Sequence, residues 1–189
     1  AAQRPDWSLV LIGDTHPWSM SAPPLQRLQA CPNVYFLGKQ PYADMPALLQ
    51  GLDVCLMPYI DDDRGRYRSP LKLYEYLAVG KPIVSTPHAE AAEFSGVVHQ
   101  AATAAAFVET VARALVEDDP SQAEQRVAIA RQHSWDARVE QMMCIVRGSP
   151  KMVVNESTTP IDVIYFITEL NIGGAEKVLV HFLRELDRR

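Results

Sequence analysis

Short apolar runs, each stopped by glycine, proline or a polar residue and set among helical stretches, constrain this chain more than any other feature. The first is Trp7-Ser8-Leu9-Val10-Leu11-Ile12-Gly13-Asp14, followed by Val34-Tyr35-Phe36-Leu37-Gly38 and Asp53-Val54-Cys55-Leu56-Met57-Pro58-Tyr59. Runs of this length, without polar alternation, suit strands buried on both faces. Helical stretches fall between them: Asp44 to Gln50, and Pro70-Leu71-Lys72-Leu73-Tyr74-Glu75-Tyr76-Leu77-Ala78-Val79-Gly80. In the second, Ser69 suits the N-cap, Pro70 the first helical position and Gly80 the stop. It leads directly into Lys81-Pro82-Ile83-Val84-Ser85-Thr86 and then to a weaker strand signal at Val97-Val98-His99. Repeated strand, helix, strand units with short connections predict an α/β fold, a Rossmann-like parallel sheet flanked by helices.

From Thr103 to Arg147 the pattern becomes helical. Phe107, Val108, Val111, Ala114 and Leu115 recur at helical spacing, as do Val127, Ile129 and Ala130, then Val139, Met142, Met143 and Ile145. Pro120 and Ser134-Trp135-Asp136 divide this stretch into three expected helices, with Met142 and Met143 read as core. Residues 148–160 are rich in Ser, Thr and Pro, the composition of a linker, so residues 1–147 form one expected domain. After it, Ile161 to Ile167 predicts a new strand, then a loop and an amphipathic helix from about Gly174 to Leu186.

Composition narrows the function classes. With 189 residues, 48% hydrophobic and 22% charged, the chain has the make-up of a soluble globular protein. No apolar run approaches the roughly 20 residues of a spanning helix. Ala1-Ala2-Gln3-Arg4-Pro5 lacks a signal-peptide core, so a cytoplasmic location is expected. A net charge of -5 argues against a protein built to grip nucleic acid by its phosphates. Cys31, Cys55 and Cys144 are odd in number, widely spaced and set among apolar neighbours, which suggests small core residues and neither a disulfide framework nor a zinc site.

The carboxyl ends of parallel strands are where ligands bind, so candidate site residues come from the loops and helix starts there. The helix beginning near Ser69 offers unpaired backbone N–H groups, Lys72 adds a full positive charge, and Glu75 follows on the same face. That set suits a phosphate beside a pair of ribose hydroxyls; an exposed ion pair between Lys72 and Glu75 is the plainer alternative. Gly13 ends its strand, where a missing side chain admits either a close ligand or a simple turn. Asp61-Asp62-Asp63 suggests a solvated loop and not a metal site. His16 and His88 follow strand ends, and His99, His133 and His181 show no metal spacing.

The stretch from Ser69 to Thr86 closely resembles the donor-nucleotide segment in the C-terminal domain of retaining GT-B-fold glycosyltransferases, the large "group 1" family. The blocks Leu11-Ile12-Gly13-Asp14, Val34 to Gly38 with Pro41-Tyr42 and Leu48-Leu49, and Asp53 to Pro58 are similar to successive parts of that domain, in order. The resemblance implies a glycosyltransferase of hexosyltransferase type that moves a sugar, with retention, from a UDP- or GDP-sugar to a glycan or lipid-linked acceptor in polysaccharide biosynthesis. It implies that Lys72 neutralises the departing diphosphate, that Glu75 binds the ribose, and that Ser69, Leu71 and Gly13 line the nucleotide. Gly38, Lys39, Gln40 and Tyr42 would receive the base, and no metal or other cofactor is called for. The motif's other glutamate is replaced here by Tyr67, so no sugar contact is implied at that position.

The tail from Ile161 to Val180 resembles the first strand, glycine-rich loop and first helix of the acceptor-side domain of the same enzymes, with Gly173 and Gly174 facing the diphosphate. The order, donor blocks before an acceptor-side opening, leads us to expect a fragment of a tandem transferase whose donor domain is shortened at its front; a permuted protein is the alternative. Catalysis would then need the complementary GT-B domain, and the isolated chain is expected to be inactive. Peripheral association of the full-length protein with the inner face of a membrane is a further expectation. A GT-B-fold nucleotide-sugar epimerase and a non-catalytic nucleotide-binding module are the competing readings.

Overall fold

The computed structural model describes residues 1–14, 23–59, 70–117 and 119–148. The expected linker beyond Gly148 and the expected strand, loop and helix from Ile161 onward lie outside the described residues. The chain divides into two units, residues 1–52 and residues from 53 on.

In the first unit, β1 (Leu9–Ile12) pairs in parallel with β2 (Val34–Gly38), with α1 (Pro23–Gln29) between them in sequence. Leu9 lies opposite Val34, and the register shifts between Leu11 and Ile12 so that Ile12 meets Gly38. The Asn33 side-chain amide donates to the carbonyls of Trp7 (2.7 Å) and Arg4 (3.0 Å), tying the chain entering β1 to the start of β2. The Arg4 guanidinium lies over the Trp7 ring at 3.9 Å and pairs with Asp6. A 3₁₀ turn (Tyr42–Asp44) leads into α2 (Met45–Gln50), whose second residue, Pro46, is tolerated because an N-terminal N–H has no intrahelical acceptor. The expectation that β1 is buried on both faces does not hold. All its residues are half-buried, and in β2 Tyr35 and Leu37 are exposed. A two-stranded ladder has no flanking strand on either edge to cover its side chains.

The second unit carries the buried core. Its parallel sheet runs β3 (Cys55–Met57), β4 (Ile83–Ser85), β5 (Val98–Gln100) in that order, with Leu56 opposite Val84 and Val84 opposite His99. The single parallel sheet suggested by the strand pattern is thus two parallel ladders, one in each unit. The crossovers are α3 (Leu71–Ala78) from β3 to β4 and α4 (Ala89–Glu93) from β4 to β5, followed by α5 (Ala104–Glu117), α6 (Pro120–Gln132) and α7 (Trp135–Gly148). The last three are the helices expected from the periodicity. Their starts are capped as the sequence suggests: Thr103 Oγ1 accepts from Ala106 N, Asp119 Oδ1 from Gln122 N and Ser134 Oγ from Ala137 N. Hydrogen bonds from Ser121 and Gln122 also hold the Asp119 carboxyl below its ordinary pKa.

The core is formed by Cys55, Met57, Ile83, Val84 and Val98 from the sheet and by Leu73, Leu77, Ala91, Val111, Ala114 and Val139 from the helices. Burying Leu73 and Leu77 contributes about 2 kcal/mol each and fixes the inward face of α3. Burial pushes the Cys55 thiol up to about 12, so it is inert core. The reading of all three cysteines as core is corrected: Cys31 is half-buried and Cys144 exposed. Met142 and Ile145 of α7 are likewise exposed, and Leu115 of α5 partly so. The periodicity was real, yet these side chains sit at the edge of the apolar stripe, away from the neighbouring helix or sheet.

Two features lock α3 in place. Gly80 adopts φ +71°, the left-handed turn that ends the helix, and a Cβ there would lie 3.3 Å from the Ala123 carbonyl of α6. Gly80→Ala is therefore expected to cost about 2 kcal/mol, measured by urea denaturation, since an L-residue is strained in this conformation and would also press on α6. The second feature is Arg126 of α6, fully buried, which donates to Gly80 O (3.0 Å), Val97 O (3.1 Å) and Gln122 Oε1 (3.1 Å). It ties the end of α3 and the approach to β5 to one helix.

Candidate functional site

In a parallel βαβ unit the crossover helix starts on the side where the preceding strand ends, so the N-terminus of α3 belongs to the carboxyl edge of the sheet. Pro70 is buried and occupies the cap position in an extended conformation (φ -77°, ψ 106°), with no side-chain cap hydrogen bond. This corrects the expected boundary by one residue: Leu71, not Pro70, is the first helical residue. Proline's fixed φ suits either position, so sequence alone does not separate them. Ser69 and Tyr67 lie outside the described residues, as do His16 and Asp61-Asp62-Asp63.

The helical period puts Leu73 and Leu77 inward and Leu71, Lys72 and Glu75 on the opposite face. Leu71 and Lys72 are exposed and Glu75 is half-buried. The amides of Leu71 and Lys72 have no acceptor within the helix, whereas Leu73 N already donates to Pro70 O at 2.9 Å. A helix start, an ammonium and a carboxylate one turn further along therefore share one outward face.

Flanking side chains hold this face steady. The Tyr74 hydroxyl donates to Glu90 of α4, and its ring meets Phe94, His133 and the Arg138 guanidinium. Burial, reinforced by the bond to Glu90, pushes the Tyr74 phenol up to about 12. Burial likewise pushes Tyr76 up to about 12. Both phenols thus stay protonated at neutral pH and act as fixed packing and donor groups, not as bases.

The remaining predicted residues fall in the first unit, at the carboxyl ends of β1 and β2. Gly13 N donates to Gly38 O at 2.9 Å, and both glycines have positive φ (+139° and +67°). Nothing lies within 4 Å of a Cβ built at either, so conformation and not crowding is what asks for glycine here. Gln40 Nε2 donates to Leu37 O at 2.6 Å, folding the loop after β2 back on itself. Lys39 is exposed, and Tyr42 is 68% exposed, which corrects the alternative that its ring packs on the following helix. Gly13, Gly38 and Gln40 are thus gathered in one place, Lys72 and Glu75 in another, each within its own unit. Gly173 and Gly174 lie outside the described residues.

A family model described as "Glycosyl transferases group 1" matches residues 1–117. The chain belongs to this family. A curated relative, TuaH of Bacillus subtilis (strain 168), is named as a teichuronic acid biosynthesis glycosyltransferase and is 37% identical over 87 residues, covering 46% of this chain and 21% of the relative. The chain thus matches about a fifth of that relative's length. The α/β architecture, parallel strands flanked by helices, is consistent with a Rossmann-like half of a GT-B group 1 glycosyltransferase. Among the described residues no helix is long and apolar enough to cross a membrane, and no three His, Cys, Asp or Glu side chains gather as a metal site.

The sequence reading of this group 1 domain passed over residues at the carboxyl edge of β3 and β4. Ser85 Oγ donates to Thr86 O (2.7 Å), Thr86 Oγ1 donates to Tyr59 O (2.7 Å), and the buried His88 ring lies 5.5 Å from that of Tyr59. Thr86 directly follows a buried strand, and that position was the available signal. Its partner, a backbone carbonyl, left none.

Proposed function

We propose that residues 1–147 are the donor domain of a retaining glycosyltransferase, binding a nucleoside diphosphate sugar for transfer to a glycan or lipid-linked acceptor. The observation that carries this reading is the outward face of α3, where a helix start, Lys72 and Glu75 stand together on a helix fixed by its opposite face. Vicinal ribose hydroxyls donating to the Glu75 carboxylate, and a diphosphate held by Lys72 and the first amides of α3, would use each group for what it does best. Departure of the nucleoside diphosphate leaves developing negative charge on phosphate oxygens, and Lys72 supplies fixed compensation without a protein nucleophile. The loop after β2, with Lys39, Gln40 and Tyr42, would receive the base, and Leu71 and Ser69 would border the diphosphate. Membership of the group 1 family and the likeness to TuaH support the reading, and with them a role in cell-surface polysaccharide assembly from the cytoplasmic side.

The test is titration calorimetry of the chain with UDP, GDP and their sugars. One nucleotide should bind, and Glu75→Ala should weaken it by about 10- to 30-fold, as for loss of hydrogen bonds to a charged acceptor. Binding of neither nucleotide, or an unchanged affinity in the variant, overturns the assignment. Interconversion of nucleotide sugars without transfer, in the full-length protein, would favour an epimerase instead.

A further inference from the structure

We infer that Thr86 is a positioning residue for the nucleotide site, acting through the stem of the connection from β3 to α3; the inference rests on the donor-domain reading above. The carbonyl of Met57, the last residue of β3, accepts from Tyr59 N (3.0 Å) and Thr86 N (3.2 Å). The chain thus leaves the strand in a tight turn that β4's extension holds in place. The single hydroxyl proton of Thr86 goes to its shorter contact, Tyr59 O at 2.7 Å, and not to Met57 O at 3.4 Å. On the same residue the Tyr59 ring meets the buried His88 ring. Pro58 and Tyr59 are therefore clamped from both backbone and side chain by the segment that follows β4.

This stem leads into the connection that ends at Pro70, where α3 presents Lys72 and Glu75. The far end is already fixed by the burial of Pro70, Leu73 and Leu77. The near end depends on one hydroxyl. Its removal leaves the Tyr59 carbonyl without that donor and frees the stem to take other paths along the carboxyl edge. A ligand bound there would then have to select the native path, and its apparent affinity would fall by the fraction of molecules that keep it.

The experiment compares Thr86→Val, which keeps the shape without the donor, with Thr86→Ser, which keeps the donor. UDP and GDP binding is measured by calorimetry, alongside thermal melting and amide hydrogen exchange at Tyr59. Thr86→Val should bind the preferred nucleotide about tenfold more weakly, with at least tenfold faster exchange at Tyr59, while Thr86→Ser stays within about twofold of wild type. Thr86→Ala serves as a second variant and should behave as Thr86→Val does. If Thr86→Val and Thr86→Ala lower the melting temperature but leave nucleotide affinity unchanged, the residue is merely structural and the inference fails while the donor-domain reading stands. If wild type binds neither UDP nor GDP, the donor-domain reading fails and carries this one with it.

Discussion

Lys72→Ala in the full-length protein is expected to slow sugar transfer by about 10²- to 10³-fold, the range found when one fixed stabiliser of developing negative charge is removed. The ground-state diphosphate already carries charge, so donor binding should weaken too, by less than the rate falls. Stability should change by no more than about 0.5 kcal/mol, because Lys72 is exposed on the face of α3 opposite Leu73 and Leu77. Lys72→Arg should recover only part of the rate, since a planar fork does not replace a compact point charge. The measurement is steady-state transfer from the preferred nucleotide sugar, with melting as control. A Lys72→Ala enzyme that keeps more than about a third of wild-type kcat would remove Lys72 from the leaving-group role.

Arg126→Leu should destabilise the chain by about 3 kcal/mol. The substitution keeps much of the apolar stem but leaves the carbonyls of Gly80 and Val97 buried without the donor they now have, at about 1–3 kcal/mol each. Relief from burying the guanidinium offsets part of that total. On a domain of this size the loss corresponds to a melting temperature lower by about 6–12 °C. Arg126→Lys should recover less than half, because one ammonium cannot serve carbonyls on separate segments and Gln122 with the same fork geometry. A variant that melts within about 2 °C of wild type would show that these bonds contribute little.

The reach of the sequence reading follows from what each signal depends on. Gly80, Pro120 and the run Ile83-Val84-Ser85 were legible because they act through their own backbone or their own burial, and the structure places the turn, the helix start and the strand at those residues. The outward pairing of Lys72 and Glu75 was legible for the same reason, as helical spacing alone puts them on one face. Arg126 was not legible, because a single arginine on a polar helix resembles any surface arginine until the carbonyls around it are known. Thr86 was hidden likewise, its partner being the backbone of Tyr59. Cys144, Met142 and Ile145 misled in the opposite direction: their apolar character is plain, but whether anything covers them depends on tertiary packing that no local pattern encodes.

The bonds of Arg126 to Gly80 and Val97 have one more implication, for how such a site would appear to anyone comparing sequences. Its two backbone acceptors lie on residues distant in sequence, and a peptide oxygen is the same atom whichever side chain accompanies it. Val97 can be exchanged for another apolar residue without disturbing the bond, so the arginine has no side-chain partner there whose changes would track its own. Methods that infer proximity from correlated substitutions are blind to those two ties, while a deep mutational scan should register them as a single intolerant column at position 126.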